Sequence, residues 1–493
     1  MEEQFKAKER KTNRPYVLAT VMLAMFMAAI EATIVATAMP AIVAELEDFS
    51  LYSWVFSSYL LMNAVTVLIY GKLSDLFGRK PVLTVGIIIF LIGSILCGVA
   101  SSMEMLIFAR FVQGVGAGAV MPIATTIVGD LYTKEERAKI QGYLSSVWGI
   151  SAILGPAIGG LLVEFVSWRF VFWMNVPLGI LAIVGLYLFL HENIEKHKPK
   201  IDYGGAIFLT IAITSFMFIL VEGGVRFEWL STPVFLLGAL TLLSFFVFVL
   251  YERKLDEPMM PFELWNERSI LIANLTSLTT GVMLIGLSTF LPTFVQGVME
   301  EKPIVAGFTL TTMSIGWPIA ATISGRAILK IGFRATSIFG GISLILGSIV
   351  FIFLSSSDSP IFAAFGSFLI GVGMGLTTTA FIVSIQSTVE WNKRGVATAT
   401  NMFMRNVGST IGAALLGGIL NSQLISFFTI KGVEDELNLD STTMLLNDDQ
   451  RTYLSVQARQ LLQEGLENAL HNVFFVVFGF AILSFILITC LPK

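Results

Sequence analysis

Apolar runs of about twenty residues recur from one end of the chain to the other, and that recurrence leaves few folds open. Stretches of spanning length number about fourteen, lying in 16–40, 52–70, 81–99, 104–130, 139–165, 168–190, 204–221, 232–251, 270–298, 305–327, 335–354, 361–386, 396–420 and 471–491. Hydrocarbon offers no partner to a backbone N–H or C=O, so each run must satisfy its own groups, and a helix does so. With 55% of its residues hydrophobic and 13% charged, the chain is far from the quarter-charged composition of a soluble domain. The expected class is an all-α polytopic membrane protein.

The charges outside these runs orient the chain. Placing the N-terminus in the cytoplasm puts about 23 of the 31 Lys and Arg residues inside and about six outside, with Arg110 and Arg405 left within spans. Lys6, Lys8, Arg10, Lys11 and Arg14 precede the first run as a signal n-region would, but the run is too long for a cleaved leader and is expected to be retained. An even span number returns the C-terminus to the cytoplasm. The long connection 421–470 then lies outside; 432–448 reads as an acidic loop, and 449–470 as a short amphipathic helix over the outer face. Cys97 and Cys490 fall on opposite faces, which excludes a disulfide framework. No basic stripe points to nucleic acid.

A carboxylate at Glu31, near the middle of the first run, costs several kcal/mol unless it is protonated or paired. Its default reading is an ion or proton site, and a structural hydrogen bond between helices is the competing one. Arg110 lies about seven residues, roughly 10 Å, from the outer end of the fourth stretch, and Glu31 lies about nine residues, roughly 13 Å, from the outer end of the first. The depths match. Arg110 is therefore expected to stabilise the charged form of Glu31 in one conformation and not in another, which would couple a proton to a conformational change; a permanent strut is the alternative.

The chain also repeats itself. Gly114, Gly116 and Gly118 in the fourth stretch recur as Gly371, Gly373 and Gly375 in the twelfth, and in the same register Arg137 matches Arg394, Gly155 matches Gly412 and Gly160 matches Gly417. The loop from Gly71 to Lys80 has a degraded partner from Gly325 to Arg334, with Leu329 where Asp75 stands. Two bundles of six spans are implied, at 1–200 and 266–493, the second including the outer segment 421–470, with two inserted spans at 201–265. Parallel repeats of this kind are a transporter signature, with the substrate site between them.

Five segments carry a family resemblance. In the cytoplasmic loop, Gly71 and Gly78 permit a tight turn, Asp75 can cap a helix or pair with a guanidinium, and Arg79 and Lys80 face the inner leaflet. This loop resembles the signature loop of the major facilitator superfamily, with Leu76 where that family often has Arg; by resemblance it latches the outward-facing state. Arg110, Gln113, Gly114 and Gly116 are similar to that family's R-x-x-Q-G-x-G pattern. Gly155, Pro156, Gly159 and Gly160 resemble the motif of its exporters, with Ser151 where Gly is usual. The segment around Glu31, with Glu for the usual Asp and Ala36 for the usual Asn, and the segment Trp168 to Pro177 resemble drug:proton antiporters with 14 spans. What the resemblance implies is a major facilitator fold in a bacterial plasma membrane, exporting hydrophobic, cationic drugs in exchange for protons, as a monomer.

The expected pocket combines aromatic, methionine and polar side chains: Phe26, Met27, Tyr59, Asn63, Gln113, Trp148, Asn274, Phe290, Gln296, Trp317, Phe381 and Met404, with Arg405, for which no carboxylate stands at the same depth. No Walker loop supports direct ATP use, and the three histidines show no metal spacing, so neither an enzyme nor a cofactor is expected beyond the proton as coupling ion. Expected partners are small hydrophobic or amphipathic substrates, protons and membrane lipids. An exporter of lipids or lipid-like metabolites is the alternative within transport, and a non-transporting membrane sensor or scaffold is the alternative outside it.

Overall fold

The computed structural model describes residues 12–46, 52–192, 203–223, 227–255, 263–433, 437, 441–442, 444–446, 451 and 453–492. No strand occurs among them. Helices run in the order α1 (Arg14–Leu46), α2 (Tyr52–Phe77), α3 (Arg79–Gly98), α4 (Met103–Leu131), α5 (Lys134–Phe165), α6 (Arg169–Trp173), α7 (Asn175–Phe189), α8 (Tyr203–Glu222), α9 (Thr232–Glu252), α10 (Glu263–Asn266), α11 (Arg268–Gly297), α12 (Pro303–Ile352), α13 (Pro360–Thr388), α14 (Arg394–Lys431) and α15 (Val456–Thr489). Among the described residues, eleven helical runs are long and apolar enough to cross a membrane. Every one of the expected stretches is helical, but the separate spans on this measure are fewer than fourteen. The stretches at 305–327 and 335–354 share α12, which turns at Gly332, and α5 and α8 are not among the eleven.

The chain divides into two units: Met1–Leu131, Leu154–Ile201 and Trp391–Val396 form unit 1, and Tyr132–Ile153, Asp202–Glu390 and Ala397–Lys493 form unit 2. Each unit is built on a glycine-faced helix. In unit 1 that helix is α4. A Cβ on Gly114 would stand 2.5 Å from the Tyr59 carbonyl of α2, and one on Gly116 would stand 2.2 Å from the Phe90 nitrogen of α3. In unit 2 the helix is α13, where Gly371 and Gly375 each bring a Cβ position to 2.3 Å from carbonyls of Met313 and Trp317, and Gly373 meets Leu344 beyond the α12 turn. Three glycines spaced two apart thus seat one helix against two neighbours, in both copies of the repeat.

The same correspondence extends to the turns. Gly78 (φ 92°) and Gly332 (φ 81°) occupy the second glycine position of the two loops, and both have extended ψ values. That combination is closed to side chains with a Cβ, so the glycine persists in the degraded copy although Asp75 does not. Gly155 of α5 meets Thr33 of α1, and Gly412 of α14 meets Val282 of α11, one turn-facing pair in each unit.

The outer segment departs from expectation. Residues 456–470 are not a separate helix lying on the surface; they are the first half of α15, which continues unbroken to Thr489. Ser455 caps the helix by accepting from Ala458 N at 3.1 Å. A single buried face, Leu462, Leu466, Ala469, Val473 and Phe474, runs through the expected break, so nothing in the sequence stops the helix there. At its partner's end α14 runs on to Lys431, and Gly465 lets α15 close on Phe427. The acidic loop expected over 432–448 falls largely outside the described residues.

Candidate functional site

Glu31 is fully buried on α1, and its hydrogen-bond partners among the described residues come from other helices of unit 1. Arg110 of α4, 2% exposed, donates from Nη1 to Glu31 Oε1 at 2.5 Å, and Asn175 Nδ2, at the start of α7, donates to Oε2 at 2.6 Å. The guanidinium is itself held on several sides. Its Nε donates to the Val55 carbonyl of α2 at 3.1 Å, its Nη1 also donates to Gln113 Oε1 at 2.7 Å, and its Cζ sits 4.2 Å from the Tyr59 ring centroid. Gln113 Nε2 donates in turn to Ser94 Oγ of α3 at 2.8 Å. Cys97 of α3 lies 3.8 Å from Gln113 Oε1.

Burying two ions far from water costs several kcal/mol each, and only good geometry with further hydrogen bonds repays it. This cluster provides both. One polar atom is left over: Asn175 Oδ1 is buried and has no partner, although its amide nitrogen touches the carboxylate. The arrangement therefore accommodates the carboxylate as an acceptor of two hydrogen bonds. A protonated carboxyl would instead have a donor to place, and a turned Asn175 amide offers Oδ1 to receive it. Gly155 of the α5 motif packs against Thr33, two residues beyond Glu31, so the exporter-like segment abuts the same stretch of α1. Gly159 is buried and Gly160 has open space at its Cβ position; the Pro156 side chain lies outside the described residues.

A second cluster forms around the loop at Gly71 to Lys80. Asp75 Oδ1 and Oδ2 each accept at 2.9 Å, from the backbone N–H groups of Gly395 and Val396, the first turn of α14. Helix N-termini leave such donors unpaired and carry partial positive charge, so a carboxylate there is bound twice over. Arg79, 1% exposed, pairs with Asp75, donates from Nε to Asp130 Oδ2 at 3.0 Å and from Nη2 to the Trp391 carbonyl at 3.0 Å, and stacks on the Trp391 ring. Arg394 closes the ring by donating to Asp130 Oδ1 at 3.0 Å. The first turn of α3 is capped from a distance: Glu192 accepts from Arg79 N at 3.1 Å and Lys80 N at 2.9 Å, while Lys80 Nζ reaches the Leu190 carbonyl at 2.8 Å. Burial pushes the Glu192 carboxyl up from its ordinary value, against the pull of those two N–H groups.

The other expected site residues fall into distinct settings. Tyr59 and Gln113 join the Glu31 cluster; Phe26 packs beside it and Met27 is fully buried. Asn63 is half-buried on α2. In unit 2, Asn274 accepts from Asn401 at 3.1 Å, Phe290 lies in the main core, and Trp317 packs against that core. Phe381 is buried, Met404 and Arg405 are half-buried on α14, and Trp148 is exposed on α5. Gln296, at the C-terminal end of α11, is held through its carbonyl by Arg451 Nη2 at 3.2 Å. Asn175, Ser94, Asp130, Glu192 and Gly395 were not singled out in the sequence. Asn175 lies in the Trp168 to Pro177 segment, but nothing in that segment's sequence pointed it at Glu31.

Comparison with known proteins places the chain in a family. Residues 21–413 match the family model for the Major Facilitator Superfamily. The chain is 36% identical over 413 residues to Multidrug resistance protein 3 of Bacillus subtilis, covering 84% of this chain and 80% of that relative. It is 34% identical over 426 residues to the Multidrug transporter protein MdtP of the same organism, covering 86% and 79%. Among solved structures, the human organic anion transporter MFSD10 (TETRAN) superposes with a TM-score of 0.64 at 13% identity, covering 96% of this chain and all of that one, a likeness of fold.

Proposed function

The chain belongs to the Major Facilitator Superfamily, and from that premise we propose that it is a proton-coupled exporter that moves small hydrophobic drugs out across a bacterial plasma membrane. It is a multi-pass membrane transporter and not an enzyme. The single observation that carries the coupling is the buried Glu31–Arg110 pair, met at matched depth by α1 and α4 and completed by Asn175. A carboxylate so placed is a chemical two-state element: ionised, it needs Arg110 and Asn175; protonated, it needs neither charge partner. Export then follows if one arrangement of the helices favours the pair and the other favours the proton, so that each cycle exchanges proton for cargo. The Asp75 contacts to the first turn of α14 support a cytoplasmic latch in that cycle, since two charge-assisted hydrogen bonds must break before the start of α14 can leave.

The relatives named as multidrug proteins support a small hydrophobic cargo. The test is accumulation of Nile red, an uncharged lipophilic dye, in everted membrane vesicles with an imposed inside-acid gradient. Wild type is expected to accumulate dye only with the gradient, and Glu31→Gln to lose that response while still binding dye. Gradient-driven accumulation by Glu31→Gln would remove the proton role from this residue. An absence of accumulation by wild type would favour a sensor or scaffold instead.

A further inference from the structure

Within unit 1 the buried Glu31 and Arg110 balance one another, but unit 2 contains a cation at membrane depth that no acid among the described residues balances. Arg405 stands about 16 Å along α14 from its start at Arg394, near the middle of a hydrocarbon layer about 30 Å thick. It is half-buried, and among the described residues it has no ion pair, hydrogen bond or nearby carboxylate. A guanidinium at that depth is too far from either interface for its side chain to reach water by leaning. Such a residue marks a place where a charge of the opposite sign arrives.

The neighbouring seam supplies a second free donor. Asn401, one turn before Arg405, donates its amide to Asn274 Oδ1 at 3.1 Å and to Ser277 Oγ at 2.9 Å. Asn274 is 1% exposed, and its own Nδ2 has no acceptor. The two helices are close enough for these groups to share one level: a Cβ on Gly281 would lie 2.2 Å from the Arg405 carbonyl, and one on Gly408 would lie 1.9 Å from the Leu278 carbonyl. Side chains on a helix lean toward its N-terminus, and from Arg405 that direction leads to the level of the Asn401–Asn274 pair. The seam is thus over-supplied with donors and short of an acceptor.

We infer that the α11–α14 seam is a subsite for the oxyanion group of an amphipathic cargo, with Arg405 supplying the charge and Asn274 Nδ2 a second hydrogen bond. The apolar remainder of the cargo lies along neighbouring hydrophobic surface, and a cationic head is disfavoured because it would meet an uncompensated like charge. This reverses the sign expected from family resemblance and rests on the export reading only for what happens to the ligand after it binds.

The test uses the full-length protein in detergent and three fluorescent probes that share one dansylated undecyl chain and differ only at the end: a carboxylate, its methyl ester and a trimethylammonium group. Wild type is expected to bind the carboxylate about ten- to hundredfold more tightly than the ester, as a charge-assisted contact would give. Arg405→Gln abolishes that preference, Arg405→Lys retains part of it, and Asn274→Leu weakens the carboxylate more than the ester. Displacement of the bound probe by dodecanoate or dodecyl phosphate supports the subsite and tells which oxyanion fits better; displacement by neither overturns it. Equal binding of acid and ester by wild type, a preference that survives Arg405→Gln, or preference for the ammonium probe overturns it as well. The wild-type comparison stands even if Arg405→Gln fails to fold. If Nile red is exported but no carboxylate preference exists, the subsite fails and the export reading survives; if the preference exists but no probe responds to a proton gradient, the reverse holds.

Discussion

Glu31 has one oxygen for each of two partners, and that division makes its surroundings testable residue by residue. Arg110 takes Oε1, and Asn175 takes Oε2 at 2.6 Å from a position 144 residues away in the chain. Asn175→Leu keeps the volume and removes the donor to Oε2, at a cost of about 1.5–3 kcal/mol for a bond to a charged group. If Asn175 serves the ionised state within the cycle, proton-driven Nile red export at saturating dye falls by about tenfold or more while the dye concentration for half-maximal rate stays put. A purely structural Asn175 would lower both the amount of folded protein and the apparent affinity. Glu31 and Arg110 were legible because a charge inside an apolar run is conspicuous and helical rise converts position into depth. Asn175 was not, because an uncharged amide near a span end carries no comparable penalty; only the fold brings it to the carboxylate.

At the level of elements, sequence showed that Asp75 could cap a helix but not which one. The answer depends on Gly395: a Cβ there would stand 2.6 Å from Asp75 Oδ1, so the first turn of α14 can sit on the carboxylate only because that position is bare. The outer segment teaches the complementary point, since its helical periodicity was readable but its continuity into α15 was not. What ties the start of α15 down is Glu300, in the left-handed region at φ 57°, whose carboxylate receives both Nε and Nη2 of Arg459, the former at 2.6 Å. The Arg459 hydrogen bonds hold the Glu300 carboxyl below its ordinary value of 4.5. A depressed carboxyl stabilises the folded form above the unfolded value and ceases to do so as pH falls through the folded one. The partly exposed pair is worth only about 0.2–1 kcal/mol, so the effect is local. Hydrogen exchange of amides 456–463 is therefore expected to accelerate in wild type as pH drops below about 4.5 relative to intrinsic rates, whereas Glu300→Gln shows the faster exchange already at neutral pH. Identical protection in the two proteins at neutral pH would show that the ion pair does not anchor the helix.

Over the whole molecule, duplication explains why so much of the architecture could be read in advance. Glycine spacing encodes how closely helices pack, and close packing is what both copies kept: Gly116 on Phe90 in one unit, Gly373 on Leu344 in the other. Polar chemistry was free to diverge, and it did. Unit 1 holds a balanced acid and base, whereas unit 2 holds Arg405 without a counterpart among the described residues, and Asp75 is matched only by Leu329. The two turn glycines separate these layers experimentally. Gly78 and Gly332 share a backbone conformation that a Cβ strains by about 1–3 kcal/mol, and Gly332 has open space around its Cβ position, so the cost there is one of backbone alone. Gly78→Ala and Gly332→Ala should therefore lower the thermal midpoint of the purified protein to a similar extent. Only Gly78 precedes a residue that binds Asp75, Asp130 and Trp391 together, so only Gly78→Ala should also slow proton-driven export, several-fold, when rates are compared per folded molecule. Equal loss of rate in both variants would mean that the turn itself, in either copy, limits the cycle, and that the charged cluster around Asp75 adds nothing to it.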